Sequence, residues 1–366
     1  MYKVPQLIPY VGEEELKNIE EVINNKWITE GPFSEEFLEL IKNFTGVKHA
    51  VLAPNGTLGL YLSLVALGIK ADDEVIVPDF TFIASGSSIL FAGGKPVIVD
   101  VDPRHYNIDI EKIESVITEK TKAIMPVHIY GQSADMDPIL TIARKYNLKV
   151  IEDAAQSYGV FYKGRHTGTI GDVGMISFFA DKTVTTGEGS VILTNDEEIY
   201  AKLGFLRNQG RSDSGSFIHH YLGMNFRMTD LQCAVGVAQL KKYEKIKKRK
   251  LDNYYLYKDL LKDIDQIKFV REMEYSNFVP FRANIKVPNF KGLIEFLEKN
   301  EIQTRGFFYP LHRQPCFKYL GYSEEEFPVS NKLNETGLSL PVYCDLTKKQ
   351  IFYVCEKIKE FYKNNG

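Results

Sequence analysis

Residues 49–100 read HAVLAPNGTLGLYLSLVALGIKADDEVIVPDFTFIASGSSILFAGGKPVIVD. Three short runs rich in β-branched residues, HAVLA (49–53), EVIVP (74–78) and PVIVD (96–100), are separated by LGLYLSLVALG (58–68) and FIASGSSILFAG (82–93), which have helical character. Downstream the strand pattern continues through KAIMPV (122–127) and LKVIED (148–153). The helical segments IEKIESVIT (110–118) and MDPILTIARKYN (136–147) precede each of them. Strands alternating with helices predict an α/β fold with a mostly parallel sheet. Right-handed crossovers then bring the C-terminal ends of the strands to one edge, where open α/β sheets bind ligands.

Upstream, EEELKNIEEVINN (13–25) spaces Leu, Ile and Val as a helix does. The regular alternation fades near residue 240, at the basic run KKYEKIKKRK (241–250), which reads as a solvated helix face leading into a second domain. A chain of 366 residues suits two domains. We expect a large domain over 1–240 and a smaller α+β domain over 241–366. A net charge of −3 and a pI near 6.2 give no support to nucleic-acid or membrane binding. The apolar stretch 51–69 is broken by Pro54, Asn55, Gly56 and Thr57, so it is no membrane span. Cys233, Cys316, Cys344 and Cys355 are widely spaced and form no CxxC pair, which leaves disulfide scaffolds, zinc sites and iron–sulfur clusters unsupported. With no apolar leader at the N-terminus, reduced thiols in a cytoplasm and no metal are the expectation.

Four segments carry candidate chemistry. Asn55-Gly56-Thr57 lies between an apolar strand and an apolar helix, where free backbone N–H groups and the helix dipole suit a phosphate. It also reads as a plain strand–helix turn capped by Thr57. The strand 148–153 ends in Glu152 and Asp153, with Gln156 shortly after. An aspartate there would keep a pyridine nitrogen protonated and Gln156 would meet a ring hydroxyl, or one acid simply caps the next helix. In SFFADKTVTTGEG (177–189) Lys182 comes after an aromatic strand and precedes a Thr/Gly turn. A pocketed lysine can form a Schiff base, whereas a loop lysine is more often a surface group. GMNFRMTD (223–230) leads into an apolar helix and reads by itself as a capped loop.

Taken in order, these segments, with DEVIVPDFTFIAS, TKAIMPVHIYGQSADMDPI, VIEDAAQSYG and GDVGMISFFADKTVTTGEGSVILTND, resemble the DegT/DnrJ/EryC1/StrS family of sugar aminotransferases over residues from about 5 to 245. TRGFFYPLHRQP (304–315) fits as well. The resemblance implies the fold type I architecture of pyridoxal-phosphate enzymes, with a large α/β domain and a smaller C-terminal α+β domain, and a homodimer with its sites at the subunit interface. It implies Lys182 as the lysine that carries the cofactor and shuttles the proton, and Asp153 as the partner of the ring nitrogen. Gln156 would sit near the ring oxygen, Asn55, Gly56, Thr57 and Ser177 around the phosphate, and Phe82 against the ring. Asn225 would reach the phosphate of the neighbouring subunit, a role that Arg227 also fits.

Two departures from the family pattern stand out. Ser190 replaces the last glycine of the usual GEGG, a mild change, and Asp181 stands before the lysine where asparagine is common. His166 lies in a variable hairpin without a catalytic role. The family also contains dehydratases that replace the lysine by histidine; Lys182 points away from them. A regulatory or binding protein on the same scaffold is the non-enzymatic alternative. The Phe179 form of the lysine motif, with TRGFFYPLHRQP, resembles the subgroup that makes GDP-perosamine for surface polysaccharide. That implies glutamate as donor and C4 of a GDP-linked 4-keto-6-deoxy hexose as acceptor, with UDP- or dTDP-linked 3- or 4-keto sugars as the alternative. Tyr309 and His312 would face the sugar and Arg305 or Arg313 the diphosphate. Read without the family, the same stretch is an aromatic strand of the small domain.

Overall fold

The computed structural model describes residues 2–211 and 217–365. A seven-stranded sheet is built from β1 (His49–Ala53), β2 (Glu74–Pro78), β3 (Lys95–Val99), β4 (Thr121–Ile124), β5 (Lys149–Asp153), β8 (Val173–Ser177) and β9 (Ser190–Thr194), with β6 (Phe161–Tyr162) and β7 (Arg165–His166) forming a hairpin between β5 and β8. The spatial order is β1-β9-β8-β5-β4-β2-β3. All neighbours from β3 to β8 are parallel, while β9 runs antiparallel to both β8 and β1. The reversal has a local cause. The loop 178–189 between β8 and β9 carries no helix, and a parallel pair would need a crossover. Six strands therefore end on one edge and β9 starts there.

Helices α1 (Glu13–Asn25) and α2 (Pro32–Thr45) precede the sheet, and α3 (Gly56–Ala66), α4 (Ile83–Phe91), α5 (Ile110–Ile113), α6 (Met136–Tyr146), α7 (Glu197–Arg207) and α8 (Asp230–Lys241) connect its strands or come after them. α3 lies tight on β8 and β9: a Cβ on Gly59 would meet Met175 Cγ at 2.7 Å and Ser190 Oγ at 2.9 Å. Only glycine lets the helix come this close, and that closeness fixes where its N-terminus sits.

A second, antiparallel sheet holds β10 (Lys268–Phe269), β11 (Ala283–Lys286), β12 (Arg305–Gly306) and β13 (Gly337–Leu340) in the order β10-β11-β13-β12. It is accompanied by α9 (Tyr243–Leu260), α10 (Phe290–Lys299), α11 (Pro328–Thr336) and α12 (Lys348–Asn365). Its apolar core is shared with the first half of the chain. Phe80, Tyr106, Val127 and Tyr130 join Tyr254, Tyr257, Phe281, Phe307 and Leu340 in one cluster. The junction is made by a strained turn at Tyr130 (φ 56°) and Gly131 (φ 87°). The Gly131 carbonyl accepts from Val279 N–H at 3.0 Å, and a Cβ on Gly131 would fall 1.8 Å from the Val279 carbonyl. Among the described residues, no helix is long and apolar enough to cross a membrane.

The basic run 241–250 is only in part the expected solvated face. Lys241, Lys245 and Lys248 are exposed, but Lys250 is buried, because α9 turns that residue toward the chain's other half. His166, in the β6–β7 hairpin, is buried as well. Its Nε2 accepts from Gly159 N–H at 2.8 Å and its Nδ1 donates to the Thr167 carbonyl at 2.5 Å. Burial pushes its pKa down to about 4. The folded ring thus refuses a proton that the unfolded chain accepts below its ordinary 6.5. Stability is fully present above that value and falls by roughly 3 kcal/mol as pH drops toward 4. His166→Gln should flatten this part of the melting-temperature profile, as monitored by calorimetry; superimposable slopes would contradict it.

Candidate active site

The edge where six strands end gathers residues of three of the four candidate segments. At the first, α3 begins directly after β1. Asn55 is its N-cap, with Oδ1 accepting from Leu58 N–H at 3.0 Å. Thr57 is therefore not the cap. The N–H groups of Gly56 and Thr57, at the positive end of the helix, find no acceptor among the described residues. Across from them a Cβ built on Gly56 would lie 3.3 Å from Ser177 Oγ, at the end of β8. Ser177 Oγ accepts from Phe179 N–H at 3.4 Å and keeps its own proton to give. Two free N–H groups and a hydroxyl thus come together at the start of α3, donors of the kind that suit a phosphate. Ser190, the departure in the Gly-rich loop, fastens this helix start: its hydroxyl donates to the Asn55 carbonyl at 2.8 Å.

β5 settles the ambiguity between its two acids through the two-residue repeat of a strand, which sends neighbours to opposite faces. Glu152 faces the loop before β8. It accepts from Gly168, Ile170 and Gly171 N–H at 2.8, 2.6 and 2.7 Å, and pairs with His128 Nε2 at 2.9 Å. Burial opposes its charge, but His128 and the backbone donors outweigh it and hold the carboxyl below its usual range. Asp153 faces α4. It accepts from Ser85 Oγ at 2.7 Å and Ala155 N–H at 3.1 Å. Burial pushes its carboxyl up, against Ser85, Ala155 and Lys182. Among the described residues no cation lies within ion-pair distance of it. Gln156 Oε1 accepts from Tyr130 N–H at 2.9 Å, which orients its amide.

Lys182 lies beyond β8 on the same edge. Its Nζ sits 4.6 Å from the centre of the Phe281 ring and 3.7 Å from Asp181 Oδ1. Burial pushes the amine down against the pull of Asp181 and Asp153, with Arg282 adding to the depression. Asp181 faces Lys182 and two cations from the second half of the chain. Its Oδ2 meets Arg282 Nη2 at 2.9 Å and Arg305 Nη1 at 3.8 Å. Phe82 caps α4 with its ring largely exposed and 6.2 Å from that of Phe308.

The remaining predicted residues spread out. His312 is buried, donating its backbone N–H to Asp79 Oδ1 and pairing Nδ1 with Oδ2, both at 2.8 Å, and stacking on Phe327. Arg313 is held by Glu324 at 2.7 Å and Glu335 at 3.3 Å, and the Tyr309 ring is exposed. The FFYP stretch is no strand; Phe307 and Phe308 pack on Phe80 and Tyr130. Asn225 is exposed and accepts from Arg227 Nε at 2.7 Å, so the two candidates form one pair. The loop's other end is the cap that the sequence suggested, with Thr229 in a capping box with Gln232. Sequence reading missed Ser85, Phe281 and Arg282. The serine lies in an apolar helix, and Phe281 and Arg282 are about 100 residues from Lys182, so no local signal marks them.

The model of the DegT/DnrJ/EryC1/StrS aminotransferase family matches residues 9–359. The chain belongs to this family. GDP-perosamine synthase of Caulobacter vibrioides is 38% identical over 94% of this chain and 94% of its own length. UDP-2-acetamido-2-deoxy-3-oxo-D-glucuronate aminotransferase of Pseudomonas aeruginosa is 32% identical over 92% and 93%. The solved aminotransferase from Psychrobacter cryohalolentis, 31% identical, superposes with a TM-score of 0.92 over 98% of this chain and 99% of that one. Family membership makes the chain a pyridoxal-phosphate-dependent aminotransferase of fold type I. The residues present fit that cofactor: the free N–H groups at the start of α3, a buried acid and a buried amine stand on one edge.

The Glu152 network holds the loop that precedes β8, and through it the strand that bears Ser177. Glu152→Ala should cost about 3–5 kcal/mol, because it strands His128 and three backbone N–H groups, two of them on buried residues. The urea midpoint of the variant, at unchanged slope, measures this; a loss below about 1 kcal/mol would contradict the network's role.

Proposed function

We propose that this protein transfers the amino group of glutamate to C4 of a GDP-linked 4-keto-6-deoxy hexose, in the manner of GDP-perosamine synthesis for a surface polysaccharide. The observation that carries the chemistry is the convergence of the Lys182 amine, the Asp153 carboxylate and the α3 N-terminus on one edge. The nucleotide and the C4 position rest on the likeness to GDP-perosamine synthase.

Pyridoxal phosphate supplies an electron sink, a pyridinium ring that takes up the electron pair left when a C–H bond beside nitrogen breaks. In our reading Gly56 and Thr57 N–H and the Ser177 hydroxyl hold its phosphate, beside the Asn55 cap. Asp153, oriented by Ser85 and Ala155, holds the proton of the ring nitrogen, and the cation restores the charge that burial disfavours. Gln156 donates to the ring oxygen and Phe82 covers a face of the ring. Lys182 Nζ takes the proton from Cα of glutamate and, in the second half-reaction, returns one to C4 of the sugar. Its lowered proton affinity suits both tasks. Arg305 and Tyr309, both about half exposed, would meet the sugar nucleotide. His312 and Arg313 act by holding the segment that bears them.

We further infer a cytoplasmic homodimer. Beside Asn225 the loop exposes Phe217, Ile218, Tyr221 and Leu222, an apolar surface suited to a second copy. Asn225 and Arg227 would then serve the partner's phosphate.

The second reading, a UDP-linked 3-keto sugar as acceptor, draws on the Pseudomonas aeruginosa relative. A panel of GDP-, UDP- and dTDP-linked keto sugars with glutamate, with products resolved by mass spectrometry and NMR, separates the two. We expect turnover of the GDP compound and a new C4–N bond. Turnover of the UDP or dTDP compounds alone would reject the nucleotide, and a C3 product the regiochemistry. Lys182→Ala should lose about 10²–10⁴-fold or more in turnover with an unchanged melting curve, and Asp153→Asn should lose most of the rate while still retaining cofactor. Mixing Lys182→Ala with Asn225→Ala subunits should restore part of the activity, since one of the two shared sites then carries neither change. No recovery with exchange verified would mean that each site is built within one chain.

A further inference from the structure

Lys250 is a second buried lysine close to Lys182. It rises from α9, is 3% exposed, and has no carboxylate within ion-pair distance among the described residues. Its Nζ lies 3.3 Å from Thr183 Oγ1 and 3.3 Å from the Phe281 carbonyl. These two partners are the walls of Lys182. Thr183 is next to Lys182 in the chain, and the Phe281 ring covers its amine at 4.6 Å. One ammonium therefore ties the loop that bears Lys182 to the segment that enters β11.

Hydrogen bonding alone does not account for a lysine here. A neutral amide or hydroxyl would serve two oxygens without the cost of burying a cation. The charges around the site show what the cation adds. From its own loop Lys182 faces Asp181, from β5 Asp153, from the segment before β11 Arg282, and from α9 Lys250. Arg305, at the start of β12, acts through Asp181 at 3.8 Å. Asp181 is thus one carboxylate shared by Lys182, Arg282 and Arg305, and Lys250 feels it as well.

We propose that Lys250 is a positioning residue for the transamination: it clamps Thr183 and Phe281 around Lys182, and its charge offsets Asp181 so that the Lys182 nitrogen stays ready to accept a proton. The proposal rests on the reading that Lys182 carries the cofactor. It gives a reason for the aspartate before the lysine, whose charge would otherwise hold the proton on Lys182. Burial also brings Lys250 down to about 7, so its charge responds to pH in the neutral range.

The test is a pH titration of the visible absorbance band of the cofactor-loaded protein, a readout independent of turnover. Lys250→Met should raise the midpoint by about half a unit or more, since a positive neighbour is lost. Lys250→Gln, which keeps a donor for the clamp and protects the fold, should raise it too. Asp181→Asn should lower it. Opposite signs from two neighbours are not produced by general loosening. Midpoints unmoved in both Lys250 variants, with only a lower melting temperature, would overturn the clamp. So would shifts of the same sign in the Lys250 and Asp181 variants. Lys182→Ala separates the two readings: a pH-dependent band that survives there overturns the Lys182 assignment and the clamp with it, whereas a band lost there but unmoved in the Lys250 variants overturns the clamp alone.

Discussion

Two parallel strands cannot be joined by a turn; the chain must travel back along the sheet before the next strand begins. Everything at this site descends from that constraint. Because β1, β2, β4, β5 and β8 run the same way, the chain leaves each of them at one edge and delivers its next residues there: the α3 N-terminus after β1, Asp79 after β2, Asp153 at the end of β5, and Ser177 and Lys182 at and after β8. The antiparallel β9 returns the Gly-rich loop to the same edge, where Ser190 fastens the cap residue of α3.

That edge is largely dry, so each charge in it is defined by its partners. Glu152 and Asp153 are neighbours in sequence and opposites in environment. Glu152 has an imidazole and three backbone donors and is a finished structural element. Among the described residues the Asp153 carboxylate has two hydrogen bonds and no cation in contact, and burial pushes its carboxyl up. An incompletely compensated buried acid near a desolvated lysine marks a candidate functional site.

The second sheet closes the site. The strained Tyr130–Gly131 turn receives residue 279, which sets Phe281 over Lys182 and Arg282 on Asp181. The amine is thus enclosed by residues about 100 positions away in the chain. The same geometry explains how Asp181 is accommodated beside the lysine: its charge is shared by cations from the second half.

The sequence determined by itself what depends on short-range periodicity. The alternation of β-branched runs with helical segments is local, so the α/β sheet and its binding edge were legible in residues 49–153. The segments that resemble the family carry, in order, the candidate residues Gly56, Asp153, Ser177 and Lys182. Tertiary structure decided what depends on approach from afar. It turned Glu152 to one face and Asp153 to the other, reversed β9, made Asn55 rather than Thr57 the cap, and buried Lys250 out of a run that reads as solvated. It also drew His312 into a pair with Asp79 and Arg313 onto Glu324 and Glu335. Desolvation and ion pairing depend on which groups meet within a few ångströms, and the linear order of a chain does not encode a distance between residues a hundred positions apart.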